Sequence, residues 1–69
     1  MGMEAVCGDV VMTTELSILM AIDGDPDNTI WIPRKVIEEF VDGELAEGSE
    51  GIEILVSSWW YRKNEERFE

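Results

Sequence analysis

The hexapeptide Asp23-Gly24-Asp25-Pro26-Asp27-Asn28 places three carboxylates at alternate positions between the apolar runs ELSILMAI and TIWIPRKV. Oxygen donors at that spacing open the calcium loop of an EF-hand, which also needs glycine at its sixth position and a bidentate glutamate at its twelfth. Counted from Asp23, those positions hold Asn28 and Arg34. Pro26 stiffens the middle of the loop, and the flanking runs read as strands where an EF-hand has helices. No metal is expected here. Asp, Gly, Pro and Asn each have a backbone reason to sit in a turn, so the stretch reads as the loop of a β-hairpin.

Other residues capable of chemistry are few. The chain has no histidine, which removes the commonest proton shuttle and metal ligand. A glycosidase-like pair of carboxylates needs a cleft that a 69-residue chain rarely builds. Cys7 has no cationic neighbour in sequence to lower its pKa and no second cysteine to pair with, so it reads as a small apolar residue in a reducing compartment. The expectation is no catalytic residue, no cofactor and no enzymatic activity. Trp59-Trp60-Tyr61-Arg62-Lys63 sets aromatics beside cations, as single-strand nucleic-acid binders do. With five basic residues in the whole chain, these aromatics are better read as core packing or a protein-contact surface.

Charge is the strongest signal. Sixteen Asp and Glu oppose five Lys and Arg, for a formal net charge of −11 and a pI near 4.1. Such a field repels nucleic acid and anionic membranes and favours a basic partner. The acids form four sets: Asp23, Asp25 and Asp27; Glu38 and Glu39; Asp42, Glu44, Glu47, Glu50 and Glu53; and Glu65, Glu66 and Glu69. Carboxylates on alternate residues of extended chain lie about 7 Å apart, a spacing that suits a basic groove shaped for phosphates. The alternative is a surface whose acidity serves only solubility.

These residues must be positioned by one small domain spanning 1–69, since a chain this short has no room for a second core. An apolar content of 45% argues for a folded chain. No run approaches the roughly 20 apolar residues of a membrane span, and the N-terminus lacks the pattern of a signal peptide. A cytoplasmic monomer is expected. MEAVCGDVVMTT suits a first strand interrupted at Gly8-Asp9 by a bulge or turn. In TELSILMAID, Leu16, Ile18, Met20 and Ile22 alternate with Ser17, Leu19 and Ala21, the period of a strand with one buried face. TIWI continues as the second arm of a hairpin.

After Pro33 the spacing of Val36, Ile37, Phe40 and Val41 favours a helix or helical turn up to Val41. The alternative is a bend at Pro33 with VIEEF continuing as extended chain. DGELAEGSEG reads as a mobile, solvated loop, and IEILVSS as a strand. Ser57 or Ser58 would cap a last helix over WWYRKNEERF, with Trp59 or Trp60 turned inward. The predicted fold is α+β: a small antiparallel sheet of three to four strands that could be barrel-like, with a helix or helical turn after Pro33 and a C-terminal helix. Its predicted core is Val6, Val11, Leu16, Ile18, Met20, Ile22, Ile30, Ile32, Val36, Ile37, Phe40, Ile52, Ile54, Val56 and one of the paired tryptophans.

Ile30-Trp31-Ile32-Pro33-Arg34, followed by Ile52, Ile54, Val56, Trp59 or Trp60, Arg62 and Lys63, resembles a loose group of small phage and mobile-element proteins. The resemblance covers roughly residues 18 to 63 and implies a small antiparallel sheet or barrel with a terminal helix, with no known active site. By class analogy, tiny acidic phage proteins without catalytic residues resemble anti-CRISPR proteins that imitate DNA. The function expected is therefore an acidic phage-encoded inhibitor acting in the host cytoplasm. It would occupy the positively charged nucleic-acid groove of a host defence complex, for instance a CRISPR surveillance complex. The candidate contact residues are Asp23, Asp25, Asp27, Glu38, Glu39, Asp42, Glu44, Glu47 and Glu50. The alternative is a non-catalytic phage interaction module using Trp31 or the Trp59-Trp60-Tyr61 surface.

Overall fold

The computed structural model describes residues 2–42 and 45–68, with the backbone alone for 40–42. Five strands form one antiparallel sheet: β1 (Met3–Thr13), β2 (Ser17–Ile22), β3 (Thr29–Pro33), β4 (Ile37–Asp42) and β5 (Ile52–Ser57), in the order β3-β2-β1-β5-β4. A short helix α1 (Ser58–Lys63) follows β5, and a single 3₁₀ turn (Glu65–Arg67) ends the described chain. The strand count exceeds the three or four expected, and the sheet is open rather than a closed barrel.

The additional strand is β4: the extended alternative after Pro33 is the one realised, and the favoured helix to Val41 is reduced to a single turn. Only Arg34–Val36 turn helically, as 3₁₀, and Ile37 is already extended at φ −82°, ψ 112°. Val36, Ile37 and Val41 are β-branched and lose side-chain freedom in a helix, whereas β5 offers an unpaired edge that an extended segment can complete. The helical spacing of the apolar residues loses to that tertiary pairing. Pro33 ends edge strand β3, where its missing N–H leaves no gap in the sheet.

This connection shapes the whole molecule. β3 and β4 are the opposite edges of the sheet, which in a flat sheet would lie about 19 Å apart at ~4.8 Å per strand pair. The path from Pro33 to Ile37 is four residues, at most about 14 Å when fully extended. The sheet must therefore curl, and its concave face closes over a core of Val6, Val10, Ile18, Met20, Ile22, Ile30, Ile32, Val36, Ile52, Ile54, Val56 and Trp60. Backbone N–H of Arg34 donates to the Leu16 carbonyl and its Nε to the Thr14 carbonyl, both at 2.9 Å, fastening the connection to the β1–β2 turn.

Two expected core residues face solvent. Leu16 is 81% exposed because it precedes β2, in the turn that the Thr14 hydroxyl organises, so the alternation of the strand does not reach it. Val11 is exposed because the β1–β2 register shifts between Val10 and Met12. A bulge adds one residue to the strand and breaks its alternation. Val10 takes the buried place instead. Ile37 is only partly buried, and the side chain of Phe40 lies outside the described residues.

Gly8-Asp9, expected to interrupt β1, does not. The strand is continuous, and Gly8 is the residue at which β1 pairs with β2 on one side and β5 on the other. A Cβ at Gly8 would run into the Ala21 backbone carbonyl. At the C-terminus, α1 stops at Lys63, short of the helix predicted through WWYRKNEERF. Tyr61 then stacks on Phe68 at 4.6 Å and Trp60 meets Phe68 edge-on at 5.9 Å. Trp60 is the inward tryptophan, and Trp59 stays 52% exposed.

Gly8→Ala should destabilise the fold by about 3 kcal/mol, the upper range for overpacking, because the atom met is backbone and cannot rotate away. Gly2→Ala, whose nearest neighbour would be the Ser58 hydroxyl at 3.9 Å, should cost no more than ~0.5 kcal/mol. Urea midpoints with unchanged slopes would measure both. Equal midpoints for the two variants would show that β1 is not pinched between its neighbours.

Candidate functional site

The face that Ile18, Met20 and Ile22 do not occupy is the outer face of the sheet, and among the described residues neither helical element packs across its Met12–Leu19–Trp31 part. Register puts Met12 opposite Leu19 and Leu19 opposite Trp31, so one residue from each of three neighbouring strands forms an apolar row there. Trp31 is 46% exposed, and Val11 and Met12 are exposed beside it. The row exists because of the β1 bulge. One hint was legible: Val10-Val11-Met12 puts three consecutive apolar residues in a strand, where alternation cannot bury them all.

Asp23, Asp25 and Asp27 are exposed on the β2–β3 turn. The stretch is the hairpin loop that its composition predicts: Gly24 N–H donates to Ala21, Asp25 N–H to Ile22 and Asn28 N–H to the Asp25 carbonyl. Asp25 Oδ1 accepts from the Asp27 N–H at 2.9 Å, an Asx turn that directs one carboxylate at its own backbone. Among the described residues, no group of three or more His, Cys, Asp or Glu is arranged to hold a metal ion. The turn is also tied to the C-terminus, since Asn28 Nδ2 donates to the Arg67 carbonyl at 2.8 Å and Arg67 Nη2 donates to the Thr29 carbonyl at 2.6 Å.

Glu47 and Glu50 are exposed on the β4–β5 loop, which is docked rather than simply solvated over its described part. Leu45 packs against the core, Val10 N–H donates to the Ser49 carbonyl and Gly48 N–H to the Val10 carbonyl, both at 2.8 Å. Asp9 Oδ1 accepts from the Gly51 N–H at 3.0 Å. On the other side of β1, Asp23 N–H donates to the Cys7 carbonyl at 3.0 Å. Two acid-bearing loops far apart in sequence thus flank Cys7–Val10 from opposite sides, with Asp9 and Glu53, the latter paired with Cys7, between them. Asp9 was not among the predicted contact residues; only pairing across β1 makes it a neighbour.

The remaining predicted acids stand elsewhere. Glu39 is exposed on β4 opposite Leu55, and Glu38 is exposed beside it with its carboxylate bonded to Ser57. The side chain of Asp42 and the whole of Glu44 lie outside the described residues. The Trp59-Trp60-Tyr61 run forms no continuous stacking platform, because Trp60 is buried and Tyr61 lies against Phe68.

Cys7 reports the convergence of charge. Cys7 is exposed rather than packed inside, yet its thiol is pushed above the ordinary value, first by the slight desolvation it suffers on the sheet and then by the carboxylates of Glu53 and Asp23, which disfavour the thiolate. Alkylation by the neutral reagent iodoacetamide near pH 8 should therefore be slower than that of a free cysteine. Glu53→Gln and Asp23→Asn should each accelerate it, because the gain in thiolate outweighs the loss in intrinsic nucleophilicity. Glu65→Gln, on the C-terminal turn, should not. Identical rates for all three variants would place the acids too far from Cys7 to act on it.

Among the described residues no helix is long and apolar enough to cross a membrane. Comparison of the chain with protein-family models, with curated proteins and with solved structures finds no match.

Proposed function

We propose that this chain is a non-catalytic binding protein whose outer sheet face docks on a basic, nucleic-acid-binding surface of another protein. The observation that carries the reading is the attachment of the β2–β3 and β4–β5 loops to the two sides of the middle of β1, which brings Asp9, Asp23 and Glu53 around Cys7 with Glu50 close in sequence. Carboxylates grouped on a rigid sheet steer a cationic surface and fix its orientation at little ordering cost. The adjacent Met12–Leu19–Trp31 row adds apolar area that a phosphate mimic made of loops alone would lack. In its narrower form the partner is a host defence complex, such as a CRISPR surveillance complex, whose nucleic-acid groove the protein occupies. Net charge, size and the resemblance to small phage proteins support that form.

A second reading follows from the exposed Trp31 alone: an interaction module in which the aromatic row does the binding and the acids keep the protein soluble.

Capture from phage-infected host cells by the tagged protein separates the two. Under the first reading, nucleic-acid-binding proteins are recovered, and excess duplex DNA competes them off. Asp23→Asn/Asp25→Asn/Asp27→Asn and Glu47→Gln/Glu50→Gln weaken retention at least tenfold at low salt and less at high salt. These exposed turn residues should change stability by no more than ~0.5 kcal/mol each, Asp25 included, because asparagine can also make its Asx turn. Retention that is indifferent to both acidic sets but lost in Trp31→Ala would overturn it in favour of the aromatic module.

A further inference from the structure

The first register shift in β4 falls on Glu38. Ile37 pairs with Val56 and Glu39 with Leu55, which leaves Glu38 as the additional residue of a bulge. Bulges re-aim the side chains they carry. Here the Glu38 carboxylate accepts a 2.6 Å hydrogen bond from the Ser57 hydroxyl. Ser57 occupies the N-cap of α1, yet its side chain makes no capping bond. A serine at that position ordinarily accepts from the N–H groups of the first turn, so the expected cap is replaced by a hold on Glu38. Ser57 is only 8% exposed, which fixes its hydroxyl and with it one oxygen of the carboxylate.

The anchored carboxylate opens on a cleft of about 290 Å³ lined by Gly2, Met3, Glu38, Ser57, Ser58 and Trp59. Met3 and Trp59 both remain exposed, so a thioether and an indole are available to a visitor. The Ser58 N–H donates to the Gly2 carbonyl at 3.1 Å and keeps the chain start against the head of α1. Met3, Ala5 and Cys7 alternate along β1, which puts the cleft on the same outer face as the acidic loops.

We propose that this cleft is a subsite for one arginine side chain of the basic partner. A fixed carboxylate beside an aromatic face is the pairing that a guanidinium uses best, because its planar fork bonds the carboxylate while its face stacks on the ring. Lysine satisfies the charge but not the stacking. A phosphate or nucleotide is disfavoured by the carboxylate, and the volume lies at the lower limit of small-molecule pockets, roughly 300–1,000 Å³. The inference rests on the basic-partner reading for the macromolecule that carries the arginine, whereas the subsite can be tested by itself.

The probe is the tripeptide acetyl-Gly-Arg-Gly-amide, titrated against the whole protein and followed by NMR at the Trp59 indole N–H and the Glu38 and Ser57 amides. A saturable shift confined to these groups is expected, with the citrulline analogue at least tenfold weaker and the lysine analogue about threefold weaker. Glu38→Gln should weaken binding about tenfold and Trp59→Leu about fivefold. Glu39→Gln, the next residue on the same strand with the same charge change, should weaken it less than twofold. Equal losses in Glu38→Gln and Glu39→Gln, or shifts scattered over all the acidic loops, would overturn the subsite in favour of diffuse attraction to the net charge. Variants of Asp23, Asp25 and Asp27 alter no residue of the cleft. Loss of tripeptide binding and loss of acid-dependent partner capture are therefore separate failures.

Discussion

β1 is shared between two ladders, and the molecule depends on that sharing. Its N-terminal half pairs with β5, its C-terminal half pairs with β2, and the two ladders overlap at Gly8. Only a residue without a side chain lets β1 pass the Ala21 carbonyl there. The short path from Pro33 to Ile37 then draws the two free edges of the sheet toward each other. Ile18, Met20, Ile32, Ile54 and Val56 are fully buried as a result, although no second layer packs across most of the concave face. Val36 enters the core from that connection and Trp60 from α1. A chain of this size reaches a native-like interior by curling its sheet on itself, a solution that small chains need because they bury a small share of their surface.

The cations serve the fold more than they neutralise the acids. Two of the five are bound to carbonyl oxygens at chain crossings, Arg34 to Thr14 and Arg67 to Thr29. Arg62 and Lys63 lie in the last turn of α1, where positive charge suits the helix dipole. Three carboxylates meanwhile, Asp9, Asp23 and Glu53, stand around the middle of β1. With a Cα radius of gyration of 10.7 Å and a screening length of about 8 Å at physiological salt, charges on one face of this body act on a visitor together.

Elements with strong local patterns were legible in the sequence. The hairpin around Asp23–Asn28, the alternation of Ile18, Met20 and Ile22, and strand Ile52–Ser57 follow from turn chemistry and period two. What was not legible depended on pairing. Val36, Ile37, Phe40 and Val41 fit a helix by spacing, which favours it over the extended alternative; only the free edge of β5 decides for strand from Ile37 on, with Val36 left in the 3₁₀ turn. Bulges at Val11 and Glu38 shift register by one residue without any glycine or proline to mark them, which misplaced Val11 in the core and hid the bond between Glu38 and Ser57. Of the predicted contact acids, the turn and loop sets could be named from composition. Their meeting around Cys7 and Asp9 could not, since it joins residues some 30 positions apart across a strand between them.

The open outer face follows from the same economy of chain. A sheet that curls without closing uses its described chain on the concave side, so Met12 and Trp31 stay exposed and Leu19 partly so at no cost to the core. On such a face, charge and apolar contact do different work. Carboxylates on the two loops act at a distance and set which surfaces approach. The aromatic row acts only on contact, where desolvated area supplies the larger part of lasting affinity. A single anchored carboxylate such as Glu38 differs from both, because an acceptor held in a cleft by Ser57 favours a donor in one place and one orientation.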